Sequence, residues 1–238
     1  MAVILNIETA TSLCSVALAI NGRVVSYRET LEEKSHAARL TAYVEEILQE
    51  KGLKISDLDA IAVGKGPGSY TGLRIGVSTA KGLCYGANIP LIAAGTLKIL
   101  YQQVISLPDL QIREALLNPH TLLCPMIDAR RMEIFTCLFN TRGDEIEPVA
   151  ARIIDSDSYK EMLSDHVILF FGSGMEKCRD LLSDQHAVFV PDVYPHSASL
   201  ALLAEEKYHL KEFEDIAYFE PFYLKDFIAT TSKKGLPV

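Results

Sequence analysis

GKGPGSYTGLRIG, residues Gly64 to Gly76, is the stretch from which the rest of the chain can be read. A short apolar run, Ala60 to Val63, enters it as a predicted strand. A helix leaves it, with Leu73, Val77, Ala80 and Cys84 on one stripe. Glycines at 64, 66, 68 and 72 permit positive φ and close backbone approach, and Pro67 stiffens the turn. N–H groups at the start of the helix could hold an anion. The known phosphate patterns do not fit, however: Ser69 stands where GxGxxG needs its third glycine, and no Lys-Ser or Lys-Thr follows as a P-loop requires. Phosphate contact and a purely structural turn both stay open at this point.

Upstream, Val3 to Glu8, Ser15 to Ile20 and Val24 to Thr30 read as three strands. The last two are joined at Asn21-Gly22, a strong hairpin signal. Ala37, Leu40, Val44, Ile47 and Leu48 then recur at helical spacing until Lys51-Gly52 stops the helix. Downstream, the helix after the glycine loop is predicted to end near Gly86, before a strand around Pro90 to Ala93 and a helix from Thr96. Strand, hairpin, helix, strand, helix, strand describes a mixed sheet with helical crossovers, so the class is α/β.

Pro108 and Pro119 break the pattern between Ser106 and His120, which is the predicted inter-domain connection. Residues 1–105 and 106–238 are therefore expected to form two α/β subdomains. In the second, Leu122 to Ile127, Met132 to Asn140 and Val167 to Phe171 read as strands, with a turn at Arg142-Gly143. The last strand enters Gly172-Ser173-Gly174 and a predicted helix. Two halves, each with a strand feeding a glycine turn, suggest duplication.

The composition is ordinary for a globular protein, with 49% hydrophobic and 23% charged residues. Apolar runs such as Val167 to Phe171 fall far short of the roughly 20 residues that span a bilayer. The N-terminus does not resemble a secretory signal, so a cytoplasmic location is expected. A formal net charge of −8 gives no general attraction to phosphate backbones, so RNA is expected to be reached only through a partner or a local patch. Five dispersed cysteines without a CxxC pair read as buried apolar groups.

Catalytic signals are absent. His36 would need a second ligand three or four residues along its helix, and Arg39 and Leu40 stand there, so no metal site is expected. Ser69 and Ser173 lie in glycine turns but not in a GxSxG elbow. Small residues at Gly72, Gly76 and Ala80, and at Ala38 and Ala42, are spaced four apart and make flat helical strips. These strips could face the subunit's own sheet or a partner.

KGPGSYTGLRIG, preceded by ILNIETA and followed by MIDARRMEIF at Met126 to Phe135, resembles the signature set of the TsaB (YeaZ) family. FFGSGMEK at Phe170 to Lys177 and FEPFYLKD at Phe219 to Asp226 extend the likeness over the whole chain. The resemblance implies a two-subdomain, actin-like and sugar-kinase-like (ASKHA) fold with mixed sheets and flanking helices. Glu8, Asp128, Gly172 and Gly174 would be the remains of a nucleotide site. Glu8-Thr9-Ala10-Thr11 lacks the glycine that lets Mg²⁺ and phosphate approach, so that site reads as degraded. The implied role is a non-catalytic subunit that supports a TsaD-like catalytic partner in the threonylcarbamoyl modification of tRNA, with a TsaE-like ATPase as second partner. Family members pair through the N-terminal helices, which assigns Ala38, Ala42, Gly72, Gly76 and Ala80 to the partner face. No cofactor is expected to bind this chain tightly. ATP or ADP is expected at the junction of the assembled complex, and a homodimer of the isolated chain is allowed. A stand-alone ASKHA phosphotransferase and a metallo-glycoprotease are the competing readings.

Overall fold

The computed structural model describes residues 2–32 and 36–225; Asp226, the last residue of the C-terminal motif, lies outside them. The first sheet contains β1 (Val3–Glu8), β2 (Cys14–Ile20), β3 (Arg23–Thr30), β4 (Ala60–Gly64) and β5 (Leu91–Ala94), in the order β3-β2-β1-β4-β5. β2 is antiparallel to β1 and β3, whereas β1, β4 and β5 run parallel. The second sheet contains β6 (Thr121–Asp128), β7 (Glu133–Asn140), β8 (Glu145–Ile153), β9 (Val167–Phe171) and β10 (Ala187–Val190). Its order, β10-β9-β6-β7-β8, is the first sheet's order with the numbers raised by five, and every pairing keeps its direction. The duplication suggested by the two glycine turns is therefore a duplication of topology. It gives the expected two-lobed, actin-like architecture.

The hairpin signal is realised in full. Asn21 and Gly22 both take positive φ, 50° and 70°, as a two-residue loop matched to strand twist requires. Alternation along β1 sends Leu5 and Ile7 into a core with Leu40, Val44, Ile47 and Val77. These belong to α1 (His36–Lys51) and α2 (Tyr70–Ala87). Ile4 faces the other way, against Leu200 and Ala204 of α6 (Ser197–Leu210), and Glu8 shares that parity.

The predicted boundary at 105/106 divides the sheets but not the lobes. α6, from the C-terminal half, packs on the first sheet, and the N–H of Ser197 donates to Ser15 Oγ at 3.0 Å. α3 (Thr96–Ile105), from the N-terminal half, instead places Leu97, Leu100, Tyr101 and Val104 among Leu123, Phe135 and Phe139 of the second sheet. The two halves thus exchange their closing helices. Within the predicted connection lies a further helix, α4 (Leu110–Leu117), capped where Asp109 Oδ1 accepts from the N–H of Ile112 at 3.1 Å. α5 (Lys160–Asp165) precedes β9. After Gly174 the predicted helix is only a 3₁₀ turn, Glu176–Cys178.

Candidate functional site

The glycine loop lies flush on the turn that follows β1. Ser69 caps α2 by accepting from the N–H of Gly72 at 3.3 Å, and its own N–H donates to Ala10 O at 2.7 Å. Thr9 Oγ1 donates to Gly72 O at 2.8 Å. A β-carbon at Gly68 would overlap Ala10 O, and one at Gly72 would overlap Thr9 O. On the loop's other side, the N–H of Gly66 donates to Thr96 Oγ1 at 3.2 Å and Gly66 O accepts from the N–H of Thr96 at 2.9 Å. The N–H groups of Gly66, Ser69 and Gly72 are thus engaged within the chain. Of the two readings of the loop, this geometry favours the structural turn over a phosphate cradle.

Glu8 closes the same turn from within. It is fully buried, and its Oε1 accepts from the N–H of Ala10 at 2.7 Å. Among the described residues its Oε2 has no hydrogen-bond partner, and it occupies the space a β-carbon at Gly64 would need. Burial pushes its pKa up to about 7, against the opposing effect of the Ala10 and Thr9 N–H groups. Cys14 beside it is raised to about 11 by burial and by the nearby carboxylate. Mg²⁺ prefers ionised oxygens that still meet water. A buried carboxyl walled in by Gly64 does not suit such an ion, so the residues at this turn do not fit a Mg²⁺-nucleotide.

The other predicted residues meet at the end of the second sheet. Asp128 Oδ1 accepts from the N–H of Arg130 at 2.8 Å and pairs with Lys177 Nζ. The N–H of Asp128 donates to Ser173 Oγ at 3.2 Å. Lys177 Nζ also donates to Arg131 O and Glu133 O, each at 2.7 Å. Gly172, at φ 100°, has no room for a β-carbon beside Met126 O, and one at Gly174 would come within 2.9 Å of Ile134 Cγ2. Asp128, Gly172 and Gly174 therefore form one constellation, with Lys177 as the member not singled out from sequence. Glu8 belongs to the first-lobe turn instead. The only signal for Lys177 was its place at the end of FFGSGMEK.

The assignment of helix α2 to a partner is corrected in its face. Gly72, Gly76 and Ala80 are buried, a β-carbon at Gly76 would overlap Thr9 Oγ1, and Ala80 lies in the core with Leu40 and Val44. This strip faces its own sheet because close approach to the Thr9 turn requires small residues there. The outward strip is Ser78, Gly82 and Gly86, with Tyr85 beside it at 82% exposure. Among the described residues, nothing beyond the helix's own adjoining backbone lies within 4 Å of a β-carbon built on Gly82 or Gly86. On α1, Ala38 is exposed and Ala42 half-buried, so these two keep an outward position.

The chain matches the family model described as TsaD: tRNA N6-adenosine threonylcarbamoyltransferase over residues 29–233. The tRNA threonylcarbamoyladenosine biosynthesis protein TsaB of Escherichia coli (strain K12) is 30% identical over 240 residues, covering 98% of both chains. This chain belongs to the TsaB family. TsaB of Bacillus subtilis (strain 168) is 30% identical over 231 residues, 93% of each chain. The structure of YeaZ from Pseudomonas aeruginosa superposes with a TM-score of 0.78 at 26% identity, covering 94% of this chain and 100% of that one.

His36 Nε2 lies 3.0 Å from Thr11 O, so its ring is engaged with the first-lobe turn. Among the described residues, no group of three His, Cys, Asp or Glu side chains could hold a metal ion. Cys14, Cys84, Cys124, Cys137 and Cys178 are all buried free thiols. No helix among the described residues is long and apolar enough to cross a membrane.

Proposed function

We propose that this chain is a non-catalytic subunit of the machinery that makes tRNA threonylcarbamoyladenosine, and that it pairs with a TsaD-like catalytic subunit. The observation that carries this reading is a contrast between two surfaces. The turn that would have to admit Mg²⁺ and phosphate is filled by Glu8 and the glycine loop. Meanwhile α1 and α2 present an outward face on which Ala38, Ser78, Gly82 and Gly86 are exposed among the described residues. Small residues on adjacent helices let a partner's helices approach closely.

In this reading the chain supplies surface and geometry, and the partner supplies metal and chemistry. A TsaE-like ATPase is the second partner, ATP or ADP binds at the junction of the assembled complex, and tRNA is reached only through that complex. The setting is the cytoplasm, and the isolated chain can pair with its own copy through the same face. A stand-alone phosphotransferase would need the first turn to bind Mg²⁺-nucleotide. A metallo-glycoprotease would need a ligand set that His36 and its neighbours do not make.

Metal content and ATPase activity of the purified chain test all three, measured alone and with the TsaD-like subunit. The expected result is inactivity alone and tRNA modification that depends on both subunits. Nucleotide turnover or a stoichiometric metal in the chain alone would overturn the proposal.

A further inference from the structure

We infer that residues 214–225, which follow α6 without a helix or a named strand, form a releasable latch that holds the glycine loop shut and ties the first lobe to the second. The segment starts on the edge of the first sheet, where the N–H of Glu214 donates to Leu91 O at 2.8 Å. It then crosses the glycine loop. The N–H of Phe222 donates to Lys65 O at 2.7 Å, and Phe222 O lies 2.6 Å from where a β-carbon of Gly66 would stand. Gly66, at φ 110°, thus meets the segment at a point that no other residue type fits.

Two side chains of α2 grip the crossing. Lys81 Nζ donates to Phe219 O at 2.7 Å, and Arg74 Nε donates to Tyr223 OH at 3.3 Å, with the Tyr223 ring 4.8 Å from that of Tyr70. The segment ends on the second lobe. There Leu224 packs against the core of Leu123 and Phe171, and Lys225 pairs with Glu133 of β7.

What marks the segment as releasable is that none of its residues is fully buried: Ile216 and Phe219 rest partly buried against the first core and Leu224 against the second, and the rest lies on the rim. Tyr218 is 84% exposed and Phe222 is 42% exposed. A cavity of about 490 Å³ lies between the segment and Lys65. Stretches held by a few rim contacts open at far lower cost than the sheets beneath them. The loop's opposite side rests on the Thr9–Ala10 turn, so the loop is clamped between that turn and the latch. Release would leave Lys65 O without its donor and clear the space above Gly66, so the loop would lose the cover on this side and be held only by its bonds to Ala94, Thr96 and the Thr9–Ala10 turn.

Native-state hydrogen exchange on the full chain tests this, comparing wild type with Tyr223→Ala and Lys81→Met, each of which removes one grip. The N–H of Phe222 is expected to exchange up to about tenfold faster, as the loss of a single hydrogen bond implies. The N–H of Ser69, which reports the far side of the loop through Ala10 O, is expected to accelerate with it. The N–H of Gly174, bonded to Met126 O in the second lobe, should stay unchanged. Acceleration at Phe222 alone would make the segment an appendage without hold on the loop, and no acceleration at Phe222 would show that these contacts do not hold it. Acceleration at Gly174 by the same factor in both variants would mean that the whole chain loosens. Each of these three results would overturn the latch.

Discussion

Glu8 at the end of β1 and Gly64 at the end of β4 share one space: the carboxyl Oε2 stands where a β-carbon of Gly64 would be. The parallel pairing of β1 with β4 aligns Ile7 with Val63, so the next residues along, Glu8 and Gly64, fall side by side on the sheet. Glycine at 64 is therefore explained by Glu8 rather than by a phosphate.

The first prediction concerns pH. Burial raises the pKa of Glu8 from an ordinary 4.5 to about 7 in the folded chain. Between those values the folded chain holds a proton that the unfolded chain has lost. The contribution of this group is fully present below pH 4.5 and is lost as pH rises through 7, by about 3 kcal/mol in all. Glu8→Gln keeps an acceptor for the N–H of Ala10 and has no proton to lose. Urea unfolding at pH 5 and pH 8 should show wild type losing stability and the variant losing clearly less. Equal losses in both would place the source elsewhere.

A second prediction reverses what the family resemblance implied for Gly72 and Gly76. A β-carbon at either position meets Thr9, so Gly72→Ala and Gly76→Ala should lower the melting temperature of the isolated chain. Overpacking typically costs about 1–3 kcal/mol, which outweighs the roughly 1 kcal/mol gained by removing a helix glycine. A melting temperature at or above wild type would return this strip to the surface.

Much of the first lobe was legible because its signals are local. Asn21-Gly22 sets a hairpin, and the apolar stripe of α1 stops at Gly52, which takes φ 66°. What was missed depended on tertiary context. α6 carries apolar residues around most of its surface because it lies between the first sheet and α3, so it shows no one-sided stripe to read. α4 was hidden because Pro108 and Pro119 flank it and read as breakers. The strips Gly72-Gly76-Ala80 and Ser78-Gly82-Gly86 have the same spacing on the same helix, and only the sheet decides which is buried. The chemistry at Asp128 was legible in part: the acid and the glycines were singled out, whereas Lys177 joins them only through the return of β9 beside β6.

The turn at Asp128 supports a third prediction. Its ion pair with Lys177 is partly exposed and should contribute under about 1 kcal/mol, while the bond from the N–H of Arg130 contributes about as much again. Arg130 and Arg131 both take positive φ, 70° and 51°, so the turn needs that acceptor. Asp128→Ala should lose about 1–2 kcal/mol in chemical denaturation, and Asp128→Asn, which keeps the acceptor, about half of that. Equal losses would assign the effect to the ion pair alone.

The final prediction separates the two faces of α2. Gly82 is exposed with open space around it, so Gly82→Leu should leave the isolated chain at least as stable as wild type, through a gain of up to about 1 kcal/mol in helix propensity. If the outward face receives the helices of a TsaD-like partner, the same leucine enters a close contact. Overpacking there costs about 1–3 kcal/mol, or roughly a five- to hundredfold loss of affinity. Gly76→Ala should do the opposite, lowering the melting temperature while the folded fraction binds normally. Sedimentation adds an independent reading, because a self-paired wild-type chain would shift toward monomer with Gly82→Leu and not with Gly76→Ala. Thermal melts and titration of the partner on the same two variants give four numbers. Only an outward partner face produces a crossed pattern in them, and a Gly82→Leu chain that binds the partner with wild-type affinity would remove this face from the interface.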